Sequence, residues 1–211
     1  MNGHRKIQMG IFGLVTAVLA LTFAVMRPFA ASCSSVREKV LRLHVLADSD
    51  SPADQKLKLQ VRNAILRESE EIFADAGSRE EAVAAATEAL PRLKAAGDAA
   101  LIGAGSGDRV HVELCRMYFT KRIYEDGTTL PAGNYEALRV IVGSGRGKNW
   151  WCMLFPKLCL SAASAEENKA SLSSVFTEEE VKITTESEKY TVRFFLLDLW
   201  EELKHRLLGT D

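Results

Sequence analysis

Few residues in this chain have chemical potential, and their types suggest one reaction before any other. A thiol hydrolase needs a thiolate to attack, an imidazole to take its proton and a carboxylate to orient the ring. Cys152, His44 and either Asp48 or Asp50 are the residues of those kinds that could serve. Nothing in the linear order brings them together, and Cys152 stands between Trp151 and Met153, the setting of a core residue. The chain has no His-Glu-x-x-His and no Cys-x-x-Cys, so no metal site is expected. No catalytic residue and no cofactor are assigned, and the expectation is a protein that is not an enzyme. An exported, cysteine-dependent hydrolase acting on cell-wall material is the alternative.

The glycine-rich run from Gly143 to Lys148 invites a phosphate-binding reading, which fails on spacing. A phosphate cradle needs glycine five residues before the Gly-Lys pair and Ser or Thr after it, whereas this chain has Val142 and Asn149 there. A tight β connection fits better. The charge balance, 27 Lys and Arg against 28 Asp and Glu, gives no field to attract a polyanion, so no nucleic acid partner is expected. Four cysteines among 211 residues are too few for a disulfide scaffold. Cys152 and Cys159 flank Phe155-Pro156 and leave two readings open, a local disulfide or a pair of buried thiols.

The elements that must position these residues begin after an unlike leader. Arg5 and Lys6 precede an apolar run from Met9 to Met26, and Arg27-Pro28 and the small residues Ala30-Ala31-Ser32 follow. Residues 1–32 therefore read as a signal peptide or a membrane anchor. Without them the chain keeps 24 basic and 28 acidic residues, a net charge of −4. Cys33 after the small residues invites a lipid-acceptor reading, which Ala30 and the Arg27-Pro28 break weaken.

From Val36 to Ala47 the pattern predicts a strand, followed by a helix capped by Ser51 and opened by Pro52. A second helix starts at Ser78, and Pro91 is expected to break or kink it. Strands are expected from Arg109 towards Phe119, over Lys121 to Tyr124, from Tyr135 to Gly143, and from Asn149 to Phe155. Residues 161–189 read as a flexible linker. Residues 190–208 form an amphipathic helix whose stripe Val192, Leu196, Leu199, Trp200, Leu203 and Leu207 is expected to pack on the domain. The fold class is α+β: a single domain over residues 36–160 with a mostly antiparallel sheet, two central helices and the closing helix.

Two stretches carry a family resemblance. Leu41-Arg-Leu-His-Val-Leu-Ala-Asp-Ser-Asp-Ser51, then Asp54-Gln55, Leu57-Lys58 and Val61-Arg62, resembles the opening signature of stage II sporulation protein R. Tyr118-Phe119, Arg122-Ile-Tyr124, Leu130-Pro-Ala-Gly-Asn-Tyr-Glu-Ala-Leu-Arg139, Gly143 to Gly147 and Asn149-Trp-Trp-Cys152 through Phe155-Pro156 to Leu158-Cys159 resemble the same family in the same order. Asp48 stands where that family is expected to carry Asn, Thr120 where Pro often follows Tyr-Phe, and Lys157 where a second Pro often follows.

The resemblance implies a secreted signalling protein of endospore formation, made in the forespore and exported into the space between two membranes. There it would activate a membrane-embedded aspartic protease, its one expected partner, which cleaves the inactive precursor of sigma-E. Membrane contact would run only through an uncleaved residue 9–26 segment. The contact surface is expected at His44, Asp48, Asp50, Tyr135, Arg139, Trp150 and Trp151, because exposed aromatics and Arg are the usual anchors of interfaces.

Overall fold

A computed structural model describes residues 2–124, 126–156 and 165–208. The first element, α1 (Asn2–Glu38), is one continuous helix with Pro28 inside it. Its apolar side chains from Ile7 to Val25 stand exposed, and the helix is long and apolar enough to cross a membrane. From Phe29 onward the same helix is different: Phe29, Cys33 and Val36 recur at helical spacing and are buried in the domain. The expected boundary at residue 32 therefore falls inside a packed helix, and the strand expected to begin at Val36 begins at Leu41 instead. Cys33 is fully buried and its thiol is pushed up to about 12, chiefly by burial, which does not suit a lipid acceptor.

The main sheet contains β1 (Leu41–Leu46), β2 (Val110–Phe119), β5 (Gly133–Val142) and β6 (Asn149–Phe155) in the order β2-β5-β1-β6. β5 pairs antiparallel with β2, and β1 pairs antiparallel with β6. The central pair, β1 with β5, is parallel, so the sheet is mixed while still mostly antiparallel by pairings. Every residue of β1 is buried, as expected of a strand with a neighbour on each edge and a layer on each face. A separate small hairpin pairs β3 (Arg122–Ile123) with β4 (Thr129–Leu130).

One face of the sheet is covered by α2 (Pro52–Ile72) and α3 (Arg79–Gly103). Both begin where the capping residues put them: Ser51 Oγ accepts from Asp54 N and Ser78 Oγ from Glu81 N. Pro91 does not end α3, which runs through it as a single helix. Leu41, Leu43 and Val45 meet Val61, Ile65, Leu93 and Leu101 in this layer.

The opposite face is closed by the end of α1, the hairpin and two further helices, α4 (Ala165–Ser173) and α5 (Glu178–Thr185). The linker expected over residues 161–189 is therefore helical from residue 165 onward. Leu172, Phe176 and Val181 are buried there against Val36, Val40, Tyr135 and Met153. The Ser- and Glu-rich composition that suggested a linker is spent on caps and ion pairs: Thr177 and Glu180 form a capping box, and Glu180 also receives Lys39 Nζ at 2.7 Å.

After a 3-10 turn at Ser187–Tyr190, α6 (Thr191–Leu208) closes the chain. It docks by a face other than the expected one. Phe194 and Leu197 are buried with Phe29 and Cys33, and Glu201 lies 3.7 Å from Arg37. Val192, Leu199, Trp200, Leu203 and Leu207, with Phe195, point outward, and Leu196 is half-buried. Contacts ascend together along both helices, from Phe29 with Tyr190 and Phe194 to Arg37 with Glu201, so α1 and α6 run in the same direction.

Phe29 is stacked on Tyr190 at 5.7 Å and edge-on to Phe194 at 5.1 Å, which makes it a core residue of the folded domain. Phe29→Ala is expected to cost about 3–5 kcal/mol, as for other buried aromatics. Thermal melts should show a fall of roughly 10 °C for a domain of this size; an unchanged midpoint would mean that the leader contributes nothing to the core.

Candidate functional site

Side chains alternate along a strand, so the central strands carry two different inventories. On the face away from α2 and α3, the sheet register sets His44 beside Arg139 and Trp151, and Arg139 beside Glu113. Glu113, Arg139, His44 and Trp151 thus form one row across all four strands. Arg42 lies two residues along β1 on the same face.

The row holds more hydrogen-bond donors than acceptors. Arg139 Nη1 reaches Glu113 Oε1 at 3.3 Å, while its Nε finds no partner. The Trp151 indole nitrogen and both ring nitrogens of His44 are buried without a partner at hydrogen-bond geometry. Arg42 is fully buried and donates through Nη2 to the Tyr124 hydroxyl at 3.3 Å, leaving Nε and Nη1 unpaired. Its charge rests on aromatic faces, 4.0 Å from the Phe119 ring centre and 5.0 Å from that of Tyr135.

Burial is the main cause that pushes His44 below the usual imidazole range; the nearby Asn149 side chain opposes it, and Arg139 and Arg42 add to it. Burial thus favours the neutral ring. Among the described residues no acid orients it, and Cys152 lies on the opposite face of the sheet, packed with the α2 and α3 layer. The sheet keeps the two members of a cysteine-histidine pair apart. What this arrangement offers is a largely buried polar row that opens to solvent at Arg139 and Glu113.

Asp48 and Asp50, expected at the contact surface, work instead on the chain's own loop. Asp48 Oδ1 accepts from Ser144 N at 2.6 Å and its carbonyl from Ser144 Oγ at 3.0 Å, while Asp50 Oδ1 accepts from Lys148 N at 2.7 Å. The Ser144 backbone bond is the largest cause holding Asp48 below the usual carboxylate range. Gly147 N donates to Ala47 O at 2.8 Å, and a Cβ at Gly147 would collide with the Ser49 carbonyl. The glycine run is thus explained by close approach to the β1–α2 corner, in keeping with a β connection. Tyr135 is also a core residue, 1% exposed, its hydroxyl donating to Pro131 O at 2.6 Å.

Trp150 faces the α2 side, with the Arg62 guanidinium 4.7 Å from its ring centre. Of the seven residues expected at the contact surface, His44, Arg139 and Trp151 come together. Cys159 lies outside the described residues, so its pairing with Cys152 remains a proposal; Cys33 and Cys115 are free thiols. Sequence reasoning missed Arg42, Glu113, Phe119, Arg122 and Tyr124. The Leu41-Arg42-Leu43-His44 alternation held the signal for Arg42, since it sends both polar residues to one face.

These features define a class: an α+β domain carried on an apolar amino-terminal helix, with a donor-rich row across one sheet face. The chain belongs to the stage II sporulation protein R family, which matches residues 37–165. It is similar to the stage II sporulation protein R of Bacillus subtilis (strain 168), 36% identical over 124 residues that make up 59% of this chain and 55% of that relative. The chain thus spans about half the length of the curated relative it matches. No solved structure matches.

Two measurements check the site. Because the neutral form of His44 is favoured by folding, its contribution is present above the ordinary value of 6.5 and is lost as pH falls below it. Thermal midpoints taken at pH 7.5 and pH 5 should fall less with acid in His44→Gln than in the native chain, and equal falls would remove this role. Gly147→Ala should destabilise the β1–α2 corner by about 1–3 kcal/mol, as overpacking does; a denaturant titration with an unshifted midpoint would refute that.

Proposed function

We propose that this chain is a sporulation signalling protein that is exported, held at the membrane by α1, and activates a membrane-embedded aspartic protease by contact. Activation leads to cleavage of the sigma-E precursor, so that the protein acts between forespore and mother cell. Family membership supports the sporulation role. The observation that supports the contact mechanism is the row of Glu113, Arg139, His44 and Trp151, which opens to solvent at Arg139 and Glu113, whose side chains are 36% and 37% exposed. An activator works by binding the active arrangement of its target more tightly than the inactive one. A surface that offers an arginine beside a half-buried tryptophan suits that task.

The hydrolase alternative has no geometric support, because His44 and Cys152 project from opposite faces of the sheet. The disulfide between Cys152 and Cys159 is retained in this proposal as a brace for the end of β6.

Co-expression of the chain with the protease and the sigma-E precursor in a non-sporulating host tests the reading. Precursor cleavage should depend on the chain, and the protein should stay in the membrane fraction through an alkaline wash. Trp151→Ala, if folded, should lower cleavage at least about tenfold, the effect of losing an interface anchor worth about 1.4 kcal/mol. Undiminished cleavage by folded Trp151→Ala, or cleavage without the chain, would overturn the contact mechanism.

A further inference from the structure

The closing helix leaves an apolar face uncovered. Outside α1, most of the large apolar side chains exposed among the described residues lie on α6: Val192, Phe195, Leu199, Trp200, Leu203 and Leu207, each 47–74% exposed. Together they leave roughly 600 Å² of apolar surface in the open, the upper end of what the largest patch on a monomer shows. Their order is regular. Val192, Leu196, Leu199 and Leu203 follow one another at spacings of four, three and four, the a/d seam of a coiled coil. In that register Phe194, Leu197 and Glu201 fall on the far side, and these are the residues by which α6 docks on Phe29, Cys33 and Arg37. Phe195 and Trp200 fall on the two flanks of the seam, five residues apart, the spacing at which flanking residues of two parallel helices meet. Arg206 takes the next seam position, and its bond to Glu202 closes the stripe with a neutral pair.

The direction of the helix selects the occupant. α6 runs the same way as α1, so two copies anchored in one membrane present their α6 helices in parallel. A twofold axis along the membrane normal then sets each stripe against its copy. Two such faces bury about 1,200 Å² between them, the lower edge of a standard interface. We infer that the α6 stripe is a homodimer seam, in which α6 packs in parallel on α6 of a second copy of this chain. Leu196, Leu199 and Leu203 meet their own counterparts, and Phe195 of each copy packs on Trp200 of the other. Two heptads are short for a pair of free helices; a shared membrane raises the effective concentration of the two chains and makes so short a seam sufficient. The parallel direction rests on the reading of α1 as the membrane anchor in the proposed function.

One added cysteine at a time tests the seam in the full chain, in detergent micelles oxidised with copper phenanthroline. The native chain, which carries the same native thiols, sets the baseline, and Glu88→Cys, exposed on α3, is the control. Leu199→Cys and Leu203→Cys should each raise the disulfide-linked dimer at least about fivefold over that baseline, because facing seam positions come within disulfide reach, and Glu88→Cys should not. Light scattering should find two native chains per micelle. The Leu199→Glu, Leu203→Glu double variant should dissociate at least about tenfold more readily, since like charges then face each other in an apolar seam, while its melting midpoint matches that of the dilute native chain. One native chain per micelle, no gain in linked dimer, a gain at Leu199→Cys alone as in an antiparallel pair, or native-like association of the double variant would each overturn the seam. Quenching of Trp200 by brominated lipid, read as the difference from Trp200→Phe, would give the stripe to the bilayer, and linking of Leu199→Cys to the co-expressed protease in place of its own copy would give it to the partner; either result overturns the seam as well. The alkaline wash separates the two readings. A chain released by the wash with its links intact sinks the proposed anchoring and leaves the pair; a chain retained without links does the reverse.

Discussion

Strand β1 is hydrogen-bonded along both edges, parallel to β5 and antiparallel to β6, and it is buried on both faces. In such a strand alternation cannot send polar residues to water; it can only divide residues between two interiors. Leu41, Leu43 and Val45 take the layer under α2 and α3, where they join an apolar cluster. Arg42 and His44 are left to the other layer, where aromatic rings must hold them. The aromatic content of that layer, Phe119, Tyr124, Tyr135 and Trp151, follows from the need to surround a guanidinium and an imidazole that have no carboxylate partner among the described residues.

The same constraint fixes the surroundings of the strand. The chain leaves β1 through Asp48 and Asp50, and these carboxylates clamp the glycine run that returns from β5 to β6. The corner is held by backbone N–H groups donated to side-chain oxygens, and Gly147 passes so near Ser49 that no side chain fits. Gly133 plays the matching part at the other end of β5: its φ of +138° and the Arg37 side chain against it leave no room for a Cβ. Arg37 also donates to Ala132 O at 2.9 Å, so the Pro-Ala-Gly turn, α1 and the sheet are bound into one unit.

That unit places the domain at the end of its own apolar helix. α1 runs unbroken from the exposed apolar stretch into the core, with Pro28 inside it, so no irregular segment separates the apolar stretch from the domain. The outward stripe of α6 lies alongside, yet it takes no part in the core that α1 and α6 share.

Much of the fold was legible in the sequence, and for local reasons. Ser51 and Ser78 as caps, the apolar leader, the alternation of β2 and the β-branched end of β5 are short-range signals, and the structure follows them. The family resemblance was equally local, carried by strings of residues within about ten positions of one another. The structure alone decided what depends on distant neighbours. Which face of α6 is buried turned on Phe29 and Arg37, more than 150 residues away in sequence. The residue 165–190 stretch, polar by composition, became helical because Lys39 and the second face of the sheet gave its few apolar residues a place to go. Asp48, Asp50 and Tyr135 proved to be scaffold, while His44, Arg139 and Trp151 met in one row, because strand register is set by pairing across the sheet. The sequence determines which side chains share a face of a strand; only the packed sheet determines which strands stand side by side, and so which side chains are left without a partner.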